Sequence, residues 1–152
     1  MMTTPLWKPY IAALVPFVVI DLLWLGVVAK RFYRRELGAL MRQPVGKGAA
    51  LAFYLLYPLG LAIFVIPQAL AVGAGAGLPI RPFDLLSLVT SGVGYAFVYG
   101  ALFGLFTYGT YDLTNRATLR GFSTKLALVD WLWGTLLTGT VAAIATALLL
   151  GR

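Results

Sequence analysis

Long apolar stretches separated by short polar segments run along the whole chain. Four of them have about the 20 apolar residues that a helix needs to cross ~30 Å of hydrocarbon, and they cover residues 9–29, 49–72, 85–111 and 124–150. The first contains twelve Leu, Ile, Val or Phe residues. Their insertion free energy of about −4 to −7 kcal/mol exceeds the cost of about 3 kcal/mol for Asp21. The pattern therefore predicts four transmembrane helices.

The segment between the first two stretches, residues 30–43, alternates differently. On a helix its apolar side chains would share one face and its arginines would lie opposite, with Tyr33, Leu37, Leu40 and Met41 on one side and Arg31, Arg35 and Arg42 on the other. This pattern is typical of an amphipathic helix in the plane of a membrane surface, whose basic residues contact anionic lipid headgroups. The alternative is a solvated hairpin that only fixes the topology.

The predicted fold class is all-α and integral to the membrane. A single domain over residues 1–152 forms a bundle of four transmembrane helices, with the short cytoplasmic amphipathic helix between spans one and two. Spans three and four carry small residues at every fourth position: Gly92, Ala96, Gly100 and Gly104 in one, and Thr135, Gly139, Ala143 and Ala147 in the other. Small residues let helix backbones approach closely in lipid. We therefore expect a hairpin of these two spans, and a homo-oligomer contact is the alternative use of the same faces.

Composition supports the membrane assignment, because 61% of the 152 residues are hydrophobic and only 11% are charged. A soluble domain carries about 25% charged residues, so an ordinary soluble globule and a disordered chain are both excluded. Cysteine and histidine are absent. This excludes disulfides, zinc fingers, histidine-ligated haem and any nucleophile activated by histidine. No metal site is predicted, and the sequence identifies no cofactor.

The net charge of +7 is explained by topology. Nine of the twelve basic residues lie in two alternate segments between spans: Lys30, Arg31, Arg34, Arg35, Arg42 and Lys47 in the first, and Arg116, Arg120 and Lys125 in the second. The positive-inside rule places both segments in the cytoplasm and both termini outside it. We therefore expect a multi-pass protein of the cytoplasmic membrane with membrane lipids as partners and no nucleic-acid partner.

Three of the five acids fall in the inner half of the predicted membrane, on three different spans: Asp21, Asp112 and Asp130. Each costs on the order of 3 kcal/mol at the bilayer centre, so such groups normally face the bundle interior and mark functional sites. We take these three as candidate catalytic residues. The candidate substrate-binding residues at similar depth are Trp24, Tyr54, Tyr57, Tyr108, Tyr111, Asn115, Arg116, Arg120 and Trp133.

A purely structural interpretation of the same residues stays open. Asp112 and Arg116 have the spacing of an ordinary ion pair along a helix, and the tryptophans suit an aromatic belt. Two of the acids also begin the same pattern, Asp-x-Leu-Trp, in residues 21–24 and 130–133. A spacing of three puts carboxylate and indole on the same side of a helix, where the indole N–H can donate to the carboxylate.

The segment 111–119 reads Tyr-Asp-Leu-Thr-Asn-Arg-Ala-Thr-Leu. With this block, the acid–tryptophan patterns and Phe53, Tyr54 and Tyr57, nearly the whole chain resembles an uncharacterised bacterial family of small predicted inner-membrane proteins, known only as a domain of unknown function. The resemblance implies a multi-span bacterial inner-membrane protein. It implies no activity, because the family has no established one.

Three functions remain as hypotheses, and whether the protein is an enzyme at all is left open. The first is a small membrane enzyme that acts on a lipid, fatty-acyl or isoprenoid substrate from the cytoplasmic side. The second is a non-catalytic accessory or assembly protein, whose polar cluster fixes the register of the helices. The third is a small oligomeric transporter, supported by the inverted repetition of Asp-x-Leu-Trp.

Overall fold

The computed structural model describes residues 4–75 and 91–151, and within these ranges every regular element is a helix. In chain order the helices are α1 (Trp7–Leu23), α2 (Lys30–Leu37), α3 (Lys47–Phe64), α4 (Ile66–Gly73), α5 (Gly92–Thr118) and α6 (Thr124–Leu150). A π-helical turn, Trp24–Val28, continues α1, and a 3₁₀ turn, Gly38–Leu40, follows α2. The start of the third predicted span, residues 85–90, lies outside the described residues.

Three helical segments of the described chain are long and apolar enough to cross a membrane: Trp7–Val28, Lys47–Gly73 and Thr124–Leu150. They agree with the first, second and fourth predicted spans. Helix α5 is as long as α6, with 27 residues, but it is not among the three. Its many glycine, tyrosine and threonine residues lower its hydropathy. The described chain is therefore all-helical with three candidate membrane-spanning helices, and a fourth span over residues 85–111 stays a prediction.

Helices α5 and α6 pack with their backbones in close contact. A Cβ on Gly104 would lie 2.5 Å from the carbonyl oxygen of Gly134, and a Cβ on Gly139 would lie 2.8 Å from that of Phe97. Gly100 meets the backbone of α6 in the same way. Lipid offers helices no hydrophobic reason to associate, so such close approach supplies the contact energy. The predicted hairpin of these two helices is confirmed.

The remaining helices divide between two sides of this pair. Helix α1 packs against α6 and α3, whereas α4 packs against α5 and α6. The largest side chains that are fully buried come from all of these helices and form one continuous core, with Phe17, Leu61, Ile66, Tyr95, Leu137 and Val141.

A break between α3 and α4 decides where the bundle opens. Pro67 is the second residue of α4, and it has no backbone N–H to continue the helical hydrogen bonds of α3. Val65 lies in the break with a φ of −114°. The two halves of the second span therefore take different partners: α4 reaches α5 and α6, and α3 follows α1. The ring of Phe103 on α5 meets α3 at Gly60, and from there towards α2 a cavity separates α3 from α5.

Helix α2 packs on the bundle at the beginning of α6. Phe32, Tyr33 and Leu37 contact a small apolar cluster of Phe122, Leu126 and Ala127. The hydroxyl of Ser123 donates to Oε2 of Glu36 at 2.7 Å. The helix ends at Leu37 because Gly38 has a φ of +50°, so it is shorter than the predicted segment 30–43. Part of the predicted apolar face thus contacts protein, and contact of α2 with a membrane surface stays a prediction.

The glycine contacts between α5 and α6 give a first test. We expect Gly104→Ala to lower the stability of the protein in detergent by about 1–3 kcal/mol, because the added methyl group meets backbone that cannot move aside. The measurement is the thermal unfolding midpoint by circular dichroism. Gly48→Ala in α3 is the matched control, since nothing lies within 4 Å of its Cβ position. Equal midpoints for the two variants would contradict this packing.

Candidate functional site

A cavity of about 1110 Å³ lies between α3 and α5. Side chains of α1 and α6 line it as well, and α2 covers one end with Lys30, Tyr33, Arg34 and Leu37. One face of α3 supplies an apolar wall at intervals of about one helical turn, through Ala49, Phe53, Leu56 and Gly60. At 1.5 Å per residue this wall is ~16 Å long. Most of the lining is apolar, and the polar groups concentrate near Asp21 and Asp130.

Asp21 is only 3% exposed, and both of its carboxylate oxygens accept a hydrogen bond. The hydroxyl of Tyr54 donates to Oδ2 at 2.9 Å, and Nε1 of Trp133 donates to Oδ1 at 3.0 Å. The donors come from α3 and α6, so this one carboxylate links three helices. A buried charge without such partners would cost several kcal/mol.

Asp130 is held from α2. The hydroxyl of Tyr33 donates to Oδ1 of Asp130, and Nε1 of Trp24 donates to the Tyr33 oxygen at 3.4 Å. Burial and the neighbouring Asp130 carboxylate raise the pKa of the Tyr33 phenol well above its ordinary value of 10.0. Tyr33 therefore stays protonated at physiological pH and remains a donor to Asp130.

Two stacked indoles connect the carboxylates. The rings of Trp24 and Trp133 lie 4.2 Å apart at their centroids and 8° from parallel. A continuous series of contacts thus runs from Asp21 through Trp133, Trp24 and Tyr33 to Asp130. The two Asp-x-Leu-Trp patterns exchange partners: the carboxylate of the first binds the indole of the second, and the indole of the first reaches the second carboxylate through Tyr33.

The π-helical turn lies inside this arrangement. The N–H of Ala29 bonds to the carbonyl oxygen of Trp24 at 2.7 Å, five residues back instead of four. The wider turn holds one residue more than an α-helical turn, which changes the angular relation between Trp24 and the residues of α2. Such π turns often occur at functional sites. Here the turn lies between Asp21 and Tyr33, whose side chains bind opposite ends of the stack.

Hydroxyl groups mark the boundary between the polar and apolar parts of the cavity. The Tyr57 oxygen lies 2.9 Å from Oγ1 of Thr107 and 2.8 Å from Oγ1 of Thr138. The ring of Tyr108 meets that of Tyr57 edge-on at 5.5 Å, and it covers Gly134 on α6. The absence of a side chain at Gly134 therefore allows Tyr108 to reach the cavity.

Two cationic side chains, Lys30 and Arg34, line the cavity from the exposed side of α2. Neither is paired with an acid of the described residues. Across residues 4–75 and 91–151, the one ion pair within 4.0 Å joins Arg35 and Glu36. The carboxylates of Asp21 and Asp130 are thus hydrogen-bonded but have no cationic partner in the described part of the chain.

The model of a family described as "Predicted membrane protein (DUF2177)" matches residues 6–78 and 80–147. The chain belongs to this family. With its apolar helices it is a predicted membrane protein of unknown function, as the resemblance in the sequence implied. Comparison with curated proteins and with solved structures gave no match.

In this family member the predicted site residues fall into two groups. The cavity is lined by Asp21, Tyr57, Tyr108, Tyr111, Asp130 and Trp133, and Trp24 and Tyr54 contact that group directly. Tyr111 lies at the margin with 60% of its surface exposed. Asp112, Asn115, Arg116 and Arg120 are not part of the lining.

Asp112 departs most from expectation. It is fully buried, three residues after Gly109, which packs against Trp131 of α6. Within the described chain, neither of its oxygens has a hydrogen-bond partner. The expected ion pair with Arg116 is not formed, because Nε of Arg116 donates to Oγ1 of Thr124 at 2.8 Å. Of the three candidate catalytic acids, Asp21 and Asp130 line the cavity, whereas Asp112 does not.

Sequence reasoning did not include Lys30, Tyr33 and Arg34 among the site residues. All three lie on the face of α2 that continues to Leu37, at helical spacings of three and four. This spacing is the feature of the sequence that places the three residues on one face. From the sequence alone, Tyr33 on this face fits contact with a membrane surface, and the two cations fit the positive-inside rule. Arg116 and Arg120, which are candidate substrate-binding residues from the sequence, do not line the cavity, and its basic lining residues are Lys30 and Arg34.

The contact between Tyr33 and Asp130 can be tested with Tyr33→Phe. We expect faster amide hydrogen exchange in α2 and a loss of about 1–3 kcal/mol of stability, because Asp130 loses its donor while it remains partly buried. Exchange is measured by mass spectrometry on the protein in detergent.

Tyr10→Phe is the control for this variant, since it removes a hydroxyl that donates to a carbonyl oxygen at an exposed position. Unchanged exchange across Lys30–Leu37 in Tyr33→Phe would show that Tyr33 does not hold α2 in place.

Proposed function

We propose that this protein binds a lipid-like amphiphile in the cavity between α3 and α5 and acts on its polar end through Asp21 and Asp130. The observation that carries the proposal is the apolar wall of ~16 Å that leads to two carboxylates within one cavity. An enzyme for a lipid or isoprenoid substrate is thus the function that the geometry supports best.

The size and the walls of the cavity favour an apolar chain over a hydrophilic solute. Its volume of about 1110 Å³ lies just above that of ordinary ligand pockets, which span roughly 300–1,000 Å³. Phe53, Leu56 and Phe103 are among its lining residues. A hydrophilic solute would lose its hydration there without gaining hydrogen bonds. An acyl or prenyl chain gains free energy from the same walls.

Unequal use of the two carboxylates suggests their roles. Both oxygens of Asp21 already accept hydrogen bonds from protein donors, which fits a fixed polar anchor. Tyr33 occupies only Oδ1 of Asp130, so we assign Oδ2 to a substrate proton or hydroxyl. A carboxylate oriented by a protonated phenol is a suitable general acid or base. Asp112 receives no role, because it does not line the cavity.

We also propose the orientation. The end of the bundle at which α2 lies carries Lys30, Arg31, Arg34 and Arg35. Arg116 in the last turn of α5 and Arg120 in the segment that follows add to the charge at the same end. This charge bias favours the cytoplasmic side of a bacterial inner membrane, with both termini outside. The substrate would then enter from the cytoplasmic leaflet.

A second candidate function is a non-catalytic accessory protein. It is favoured by the same hydrogen bonds, because Asp21 alone connects α1, α3 and α6. In that case the cluster fixes helix register and the acids perform no chemistry.

The test is complementation of a deletion strain with Asp130→Asn, read by lipid profiling and by the amount of protein in the membrane. If Asp130 transfers a proton, the product should fall by about 100-fold or more while the protein level stays normal. Thr146→Val, a buried change far along α6 from the cavity, serves as control and should complement fully.

Full complementation by Asp130→Asn would overturn the catalytic proposal. Loss of the variant from the membrane, with Thr146→Val unaffected, would favour the accessory role.

A further inference from the structure

We propose that the amphiphile is a phospholipid whose headgroup carries a primary ammonium, with the ammonium bound at Oδ2 of Asp130 and the phosphate at Lys30 and Arg34. This inference rests on the proposed function, because it names the substrate class of the same cavity.

Negative charge is concentrated in one part of the cavity. Asp21 and Asp130 line an otherwise apolar cavity, and their protein partners are neutral donors: a phenol for each and an indole for Asp21. Neutral donors orient a carboxylate but leave its charge uncompensated. In such surroundings a cation in contact with the acids gains more than it would in water.

Oδ2 of Asp130 is a free hydrogen-bond acceptor within the described chain. Tyr33 donates to Oδ1 only, and Asp130 lines the cavity. An ammonium group brings three N–H donors, so it can bind Oδ2 and still contact a neighbouring acceptor. A quaternary ammonium has no N–H and cannot make this bond. The open acceptor therefore favours a primary over a methylated amine.

The polar region of the cavity also contains positive charge. Lys30 and Arg34 line the same cavity but lie beyond 4.0 Å from either acid, since no ion pair joins them. Charges of opposite sign that share a cavity without meeting suit a ligand that carries both. A phosphate linked to an ammonium is such a ligand, and the guanidinium of Arg34 is well matched to phosphate oxygens.

The rest of the cavity has apolar walls that fit an acyl chain. From this polar region the wall formed by Phe53, Leu56 and Gly60 leads away along α3. A glycerophospholipid with its phosphate at α2 would place one acyl chain along this wall. Free ethanolamine phosphate would leave the wall empty, so the chain and the headgroup are both required.

The experiment is native mass spectrometry of the full chain released from detergent. The protein is incubated with equal amounts of dioleoyl phosphatidylethanolamine, phosphatidylcholine or phosphatidylglycerol, and the fraction that carries one lipid is measured. We expect phosphatidylethanolamine to be retained at least about tenfold better than either of the others, as for close charge pairs at desolvated contacts. Asp130→Asn should abolish this preference.

The phosphate half is tested separately with Arg34→Gln, which lies on the exposed side of α2 and should fold normally. It should weaken retention of all three lipids, whereas Arg35→Gln, a matched charge change on α2 outside the cavity lining, should not. Should Asp130→Asn fail to fold, the headgroup comparison on the unmodified protein decides the ammonium assignment by itself.

The outcomes separate the two proposals. Equal retention of all three lipids, or retention of phosphatidylcholine as good as that of phosphatidylethanolamine, would overturn the headgroup assignment and leave amphiphile binding intact. Absence of specific retention for every lipid would overturn the proposed function itself.

Discussion

Holding the carboxylates of Asp21, which is buried, and Asp130, which is partly buried, among apolar helices is the constraint on which the rest of this structure depends. Both accept hydrogen bonds, and apolar helices offer few donors. Tyr54 and Trp133 supply them for Asp21, and Tyr33 supplies one for Asp130. Because these donors lie on α3, α6 and α2, satisfying the two acids fixes how α1, α2, α3 and α6 sit against one another.

The bundle combines a close-packed pair of helices with an open side. Glycines bring the backbones of α5 and α6 together, which gives the cluster a rigid support. On the other side, the break before Pro67 lets α4 join that pair while α3 stays with α1. The cavity lies where α3 leaves α5. The same helix that supplies the donor Tyr54 therefore also supplies the apolar wall next to it.

Much of the site follows from sequence, and its limits have physical causes. Charge in an apolar span singles out Asp21 and Asp130, and the repeated spacing to tryptophan singles out their partners. Which indole contacts which carboxylate cannot be predicted from the sequence. Each indole reaches the acid of the other helix instead of the acid in its own pattern, and the π turn changes the angular relation between Trp24 and the residues of α2. The role of Tyr33 cannot be predicted from the sequence, because the apolar face of an amphipathic helix can pack against lipid or against protein with the same pattern. Asp112 was misplaced because spacing along α5 does not show which face meets α6.

The coexistence of the cavity and the acids is the strongest argument that the cluster does more than fix helix register. A structural network is most stable when its members are fully satisfied and closely packed. The side of the bundle that holds Asp21 and Asp130 is instead the side that leaves about 1110 Å³ open. Register could be set by neutral polar groups, as Tyr57 and its two threonines illustrate, without the cost of burying charge. Retaining two carboxylates beside an apolar wall and two unpaired cations fits a site arranged around a charged, chain-bearing ligand.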